Sequence, residues 1–231
     1  MKLSILIPVF NEEKTLENIV NEVQNVQISG IRKEIIIIDD ASTDKTKHVI
    51  NRLKGKYKNI KSFRHSTNTG KGGALKTAIK YISGDIIVIQ DGDLEYDPRD
   101  FIKLIKPIMH DGAAVVYGSR MLGKRTGFLI LSHYYGNKFL TLLTQIVYGQ
   151  RITDMETCYK MMKKEVLEGI NLESNRFDFE PEITAKIIRK GYKIVEIPIR
   201  YNCRSFEEGK KITWRDGFIA IYKILKYRFF S

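Results

Sequence analysis

The chain has 231 residues, enough for one domain, or for one domain with a C-terminal appendage. Hydrophobic residues make up 43% and charged residues 29%, so a sizeable core can form and a disordered tail is excluded. Lys and Arg number 39 against 27 Asp and Glu; the formal charge of +12 favours an anionic partner, whether nucleic acid, a phosphorylated small molecule or an anionic membrane face.

The N-terminal "MKLSILIPVF" runs straight into acidic "NEE" with no small-residue cleavage site, so residues 3–9 read as a first strand and not as a signal peptide. Leu16, Ile19, Val20, Val23 and Val26 then mark one face of a helix. "EIIIIDD" (34–40) is a second strand, and "TDKTKHVINRLK" (43–54) a helix with Val49, Ile50 and Leu53 inward and Ser42 or Thr43 as its N-cap. "NIKSFRH" (59–65), "GGALKTAIKYI" (72–82) and "DIIVIQ" (85–90) repeat the cycle, and a helix from Pro98 leads to "AAVVYGS" (113–119). This alternation predicts an α/β fold with a Rossmann-like, mostly parallel central sheet flanked by helices.

Past Arg120 the rhythm loosens. "GKRTGF" (123–128) reads as a mobile loop, "KIVEIPIRY" (193–201) as one more strand and "RSFEEGKKITWR" (204–215) as a polar loop. The apolar stretch 127–149 is broken by His133, Asn137, Lys138 and Gln145, too polar for a spanning helix. The expected organisation is a domain over 1–211 followed by an amphipathic helix over 212–231. In that helix Trp214, Phe218, Ile221 and Leu225 fall at i, i+4, i+7 and i+11, with Arg215, Lys223, Lys226 and Arg228 on other faces. The pattern suits a helix lying in a membrane interface, and equally one packed on the sheet. The two cysteines, Cys158 and Cys203, have no metal-ligand spacing and read as packing thiols of a reducing compartment.

In open α/β sheets ligands gather at the carboxyl ends of parallel strands, and four polar clusters fall there: "PVFNEE", "DDASTD", "QDGDLE" and "GSR". Asp91 and Asp93 sit at i and i+2, so an extended segment turns both to one side, and Gly92 lets backbone come close. Two adjacent carboxylates repel unless a cation lies between them, and hard ions such as Mg²⁺ or Mn²⁺ take one or two carboxylates together with phosphate oxygens. A solvated D-G turn is the plainer reading of the same residues. "NTGKGGAL" (68–75) lacks the full Walker spacing and reads as a helix-entry turn.

Taken in order, "SILIPVFNEEKTL", "IIIIDDASTDKT", "NTGKGGAL", "IQDGDLEYDP", "GSR", "TDMETCYKMM" and "IPIRYNCRSFEEGKKI" resemble family 2 inverting glycosyltransferases of the GT-A fold, above all the dolichyl-phosphate mannosyltransferase and polyprenyl-phosphate glycosyltransferase branch. The resemblance spans nearly the whole chain. It implies transfer of mannose or glucose from GDP-mannose or a UDP-sugar to a polyprenyl (dolichyl) phosphate, with a divalent metal, Mg²⁺ or Mn²⁺. It places Pro8, Phe10 and Glu12 along the nucleotide pocket, Asp40 against base or ribose, and Asp91, Gly92 and Asp93 at the metal, with Glu95 as a further ligand. Arg120 matches an arginine near the acceptor phosphate, Asp154 opens an element beside the reaction centre, and Arg204 with Lys210 or Lys211 matches a basic loop over the donor diphosphate. His133, Asn137 and Lys138 stand where relatives carry further acceptor-phosphate groups, a departure from the pattern. The spanning extension of some relatives does not follow residue 231 in this sequence, and peripheral association with the cytoplasmic face of a membrane is expected.

Other readings stay open at this point. One is a glycosyltransferase with a soluble or glycan acceptor. Nucleotidyl transfer would need a glycine-rich loop after the first strand, which "PVFNEE" does not supply. A nucleic-acid-binding domain has no recognisable module here, and the basic residues are spread along the chain, so nucleic acid is not the expected partner.

Overall fold

In the computed structural model, which describes residues 1–127, 131–203 and 214–230, strands β1 (Lys2–Val9), β2 (Arg32–Asp39), β3 (Ile60–Arg64) and β4 (Ile86–Ile89) alternate with helices α1 (Leu16–Asn25), α2 (Thr46–Lys56) and α3 (Lys71–Ile79). A short 3-10 turn at Pro98–Asp100 leads into α4 (Phe101–His110) and then β5 (Val115–Ser119). These follow the periodicities of the sequence, because a strand buried on both faces reads as a continuous β-branched run and its covering helix as a 3.6-residue stripe. The predicted cap of α2 does not form: Lys45 holds the N-cap position, while Ser42 and Thr43 bond to Asn11 in the loop after β1.

The main sheet has the order β3-β2-β1-β4-β7-β5-β8. All pairs are parallel except those of β7 (Lys160–Lys163), which runs antiparallel between β4 and β5. From β1 the chain builds outward to β2 and β3 on one side, and β4 lies on the other. That reversal leaves a crevice outside the carboxyl ends of the strands. Since β7 is antiparallel, its amino end and the segment before it open onto the same edge.

Two expectations change here. The run 193–201 is not one strand: β8 (Ile194–Pro198) ends in the main sheet, the Asp100 carboxylate accepts from Arg200 N at 2.7 Å, and β9 (Tyr201–Cys203) joins a second sheet. Its partner there is β6 (Arg125–Gly127), in parallel register, so residues 125–127 of the expected loop form a strand. The late helices are α5 (Leu131–Tyr148), α6 (Phe179–Arg189) and α7 (Trp214–Phe229). No described helix is long and apolar enough to cross a membrane.

The face by which α7 is held differs from the predicted stripe. Among its described side chains Ala220, Ile224 and Tyr227 are the buried ones, whereas Phe218 is 67% exposed. Tyr148 of α5 donates to Ile224 O at 2.7 Å, Arg189 of α6 donates to Tyr227 O at 2.7 Å, and Lys223 and Lys226 pair with Asp178 and Glu173. The helix therefore packs on α5 and α6 and also shows an aromatic face outward.

Candidate active site

The loops after β1 and β2 are tied into one unit. Asn11 takes a φ of 57° and Ala41 a φ of 61°, left-handed conformations that Asn tolerates and Ala rarely adopts. They are held by Asn11 N donating to Ser42 Oγ at 3.0 Å, Thr43 N to Asn11 Oδ1 at 2.8 Å and Glu12 N to Thr46 Oγ1 at 2.9 Å. Strain of this kind at strand ends is a mark of functional loops. The arrangement delivers Pro8, Phe10, Glu12 and Asp40 to the wall of a cavity of about 1410 Å³ at the carboxyl edge of the sheet.

Asp40 has a more definite job in this structure than a ligand contact. Its buried carboxylate accepts from Thr69 N at 2.9 Å, Thr69 Oγ1 at 2.8 Å, Gly70 N at 2.7 Å and His65 Nδ1 at 2.7 Å, so it shapes the turn that opens α3. Gly70 there has a φ of 89°, and a Cβ on it would stand 2.5 Å from Asn175 O. Gly70 and Gly72 of "NTGKGGAL" thus answer to close packing of segment 174–176 and Gly73 to the side chain of Thr69, in keeping with a helix-entry turn.

Gly92 is also fixed by packing, because a Cβ would lie 2.8 Å from Val9 Cγ1 at the end of β1. On either side of it Asp91 and Asp93 line the cavity, as does Glu95. Asp93 Oδ1 accepts from Glu95 N at 3.0 Å, Glu95 Oε2 accepts from the Tyr201 hydroxyl at 2.7 Å, and Asp91 Oδ1 lies 2.8 Å from Lys71 Nζ. Among the described residues no three His, Cys, Asp or Glu side chains converge on one point. The pair of hard carboxylates still fits Mg²⁺ or Mn²⁺, ions that are commonly bound by one or two carboxylates plus phosphate oxygens and water. Asp91 already carries a cation in the form of Lys71.

That lysine was passed over in the sequence. Lys71 bridges Asp91 and Glu180, at 2.8 and 3.0 Å, and the far oxygen of Glu180 meets the fully buried Lys160. Burial disfavours the Lys71 ammonium, yet Asp91 and its other anionic neighbours outweigh it and hold its pKa well above the ordinary value. Glu156, Cys158 and Asn175–Phe177 also line the cavity, and none was singled out as a site residue. Glu156 and Cys158 reach it because β7 is antiparallel, which brings the residues before it to an edge where parallel strands bring the residues after them, and no sequence signal marks that direction.

Across the cavity, Arg120 follows β5 and pairs with Asp154 by two bonds, Nε to Oδ2 and Nη2 to Oδ1, both 2.7 Å. Arg120 N adds a third at 2.9 Å and Asn137 Nδ2 a fourth at 2.8 Å. Burial pushes the Asp154 pKa up, but Arg120 prevails and holds it below the ordinary carboxylate value. The guanidinium carbon lies 5.1 Å from the Tyr201 ring centre and 6.0 Å from that of Tyr96. Arg120 lines the cavity, and Asp154, fully buried, stands behind it. Of the α5 residues, His133 and Asn137 line the cavity, whereas Lys138 is exposed and lies over the Tyr134 ring. Arg204, Lys210 and Lys211 lie outside the described residues.

Asp91 and Asp93 after β4 and Arg120 after β5 thus line one cavity at the carboxyl edge of the sheet, and the fold is the GT-A fold of glycosyltransferases. The profile of glycosyl transferase family 2 matches residues 4–170, and the chain belongs to that family. It is 30% identical to dolichol-phosphate mannosyltransferase of Pyrococcus furiosus, over 91% of this chain and 59% of that one. It is 29% identical to UDP-N-acetylglucosamine–dolichyl-phosphate N-acetylglucosaminyltransferase of Methanococcus voltae, over 96% of this chain and 94% of that one. Among solved structures, glucosyl-3-phosphoglycerate synthase of Mycobacterium tuberculosis with Mn²⁺ and UDP-glucose matches with a TM-score of 0.73 at 17% identity, over 98% of this chain and 79% of that one, a likeness of fold.

Proposed function

We propose that this enzyme transfers a hexose, mannose or glucose, from GDP-mannose or a UDP-sugar to a polyprenyl phosphate at the cytoplasmic face of a membrane, with inversion. The observation that carries the reading is the reach of one cavity from the strand-end carboxylates Asp91 and Asp93 to Arg120 and on between α5 and α7. The outer faces of those two helices are apolar: Leu131, Tyr135, Phe139, Leu142 and Ile146 on α5, and Phe218, Tyr222, Leu225 and Phe229 on α7, are all exposed. A lipid carrying a phosphate needs this pairing of an apolar surface with a cationic group beside the reacting centre.

In this reading Pro8, Phe10, Glu12 and Asp40 border the nucleotide, and Arg204 with Lys210 or Lys211 supplies positive charge to the diphosphate. A divalent metal held by Asp91 and Asp93 would stabilise charge on the leaving diphosphate. Arg120, fixed by Asp154, orients the acceptor phosphate for in-line attack on the anomeric carbon. A phosphate oxygen is already anionic at neutral pH, so the step needs no strong general base. One displacement at that carbon inverts its configuration.

The test is calorimetric titration with GDP-mannose and with UDP-glucose, each with Mn²⁺ and with EDTA, followed by transfer of radiolabelled sugar to a polyprenyl phosphate in detergent. Metal-dependent binding of one donor, lost in Asp93→Ala, and label recovered in the lipid phase support the reading. Label recovered only on a water-soluble acceptor would replace the lipid acceptor with a soluble one.

A further inference from the structure

Glu156 is a carboxylate on the cavity wall with a buried oxygen that has no use in the arrangement described so far. Its Oε1 is fully enclosed and has no hydrogen-bond partner among the described residues. The neighbouring charges are committed elsewhere: Arg120 is clamped by Asp154, and Lys160 is held by Glu180 and by the carbonyls of Met155 and Thr157. Enclosed polar atoms are nearly always satisfied, and one left over at the wall of a ligand cavity points to the ligand as its partner.

Its place says which part of the ligand. Cys158, two residues on, also lines the cavity and lies beside Asp91, while Asp154, two residues back, holds Arg120. Along this wall Glu156 falls in the chain between Asp154, which holds the group assigned to the acceptor phosphate, and Cys158, beside the group assigned to the donor diphosphate. In a single displacement the sugar ring lies between those two. A wall made of Glu156 and Glu180 carries no positive charge of its own for a phosphate and suits a neutral hydroxyl.

We propose that Glu156 is a specificity-determining residue that hydrogen-bonds a ring hydroxyl of the transferred hexose and so selects the sugar. This rests on the glycosyl-transfer reading. Burial, reinforced by Glu180, raises its carboxyl to about 7. Near neutrality such a group offers both a donor and an acceptor, the complement of a sugar hydroxyl.

The experiment compares wild type, Glu156→Gln, Glu156→Leu and Glu156→Asp in transfer assays with GDP-mannose, UDP-glucose and UDP-N-acetylglucosamine, alongside titration of Mn²⁺ with GDP and UDP alone. Glu156→Leu should lower kcat/KM for the preferred donor by about 10- to 100-fold and flatten the discrimination among sugars, as sites built around a hydroxyl do when the partner group is lost. Affinity for the free nucleotide and KM for polyprenyl phosphate should stay within twofold, and Glu156→Gln should keep most of the selectivity. Glu156→Asp, with the carboxyl drawn back by one methylene, gives the same comparison if the leucine variant does not fold. Unchanged selectivity in both the Leu and Asp variants, or a change confined to the KM of polyprenyl phosphate, would overturn the assignment while leaving glycosyl transfer intact. A wild type that transfers none of these sugars would instead overturn the glycosyl-transfer reading, and this assignment with it.

Discussion

Asp154→Asn keeps the shape of the side chain behind Arg120 and removes its charge. The carboxylate accepts four hydrogen bonds, three from Arg120 and one from Asn137. An asparagine offers a single oxygen, so one guanidinium N–H must face an amide NH₂ and loses its partner. Removing one member of a buried ion pair costs about 3–5 kcal/mol. A retained hydrogen bond to the charged group returns roughly 1.5–3 kcal/mol, leaving a net loss of about 2 kcal/mol. For a domain of this size that is a fall in Tm of about 4–8 °C. Scanning calorimetry reads the fall directly, and transfer kinetics should show KM for polyprenyl phosphate up about tenfold with donor affinity unchanged. In the double variant with Arg120→Met no orphan charge is left, so the two losses should not add, and the coupling should reach at least about 1 kcal/mol. Additive losses, or a single variant within about 0.5 kcal/mol of wild type with unchanged acceptor KM, would refute the idea that Asp154 acts by holding Arg120.

Three further outcomes follow from the same geometry. Lys71→Met removes the cation that Asp91 now carries, so nucleotide-free protein should bind Mn²⁺ several-fold more tightly by titration; weaker binding would show that Lys71 does not compete for that carboxylate. Glu156 titrates near 7 when folded, against an ordinary 4.5, so the folded state binds the extra proton and stability falls as pH rises from about 4.5 to 7. The groups that bear on it are Glu180, Lys160, Arg120 and Asp154, and its share of that fall is at most about 3 kcal/mol. Glu156→Gln should flatten this part of the Tm–pH curve, and an unchanged slope would count against a neutral carboxyl. Phe218→Ser with Phe229→Ser should lower co-sedimentation with anionic vesicles at least tenfold without changing Tm, since both rings are exposed. Equal sedimentation would rule out this face as the membrane contact. Point substitutions suit the question better than deleting α7, which would take away Ala220, Ile224 and Tyr227 and uncover the faces of α5 and α6 on which they pack.

Much of the amino-terminal half was legible in the sequence because its signals are local. Buried parallel strands announce themselves as β-branched runs, their helices as 3.6-residue stripes, and the polar residues between them fall at strand ends by construction. Hence β1 to β5, and the arrival of Pro8, Phe10, Glu12, Asp40, Asp91, Asp93, Glu95 and Arg120 at one cavity, follow from order along the chain. The tail was harder: an apolar stripe records amphipathicity without naming the side that is covered, and α7 has large apolar residues on both.

Only the tertiary structure decided what the charged groups do to one another. Lys71 meets Asp91 and Glu180 through the packing of α3 and α6 on the sheet, and Arg120 meets Asp154 because β7 enters the sheet antiparallel. Strand direction leaves no trace in a strand of four residues such as Lys160–Lys163, because the alternation of side chains is the same either way. The composition and motifs therefore determined that an acidic pair and an arginine would face a shared crevice. The packing of α3 against the end of β4 decided that Lys71 neutralises Asp91, and the antiparallel β7 brought Asp154 to Arg120 and Glu156 to the cavity wall.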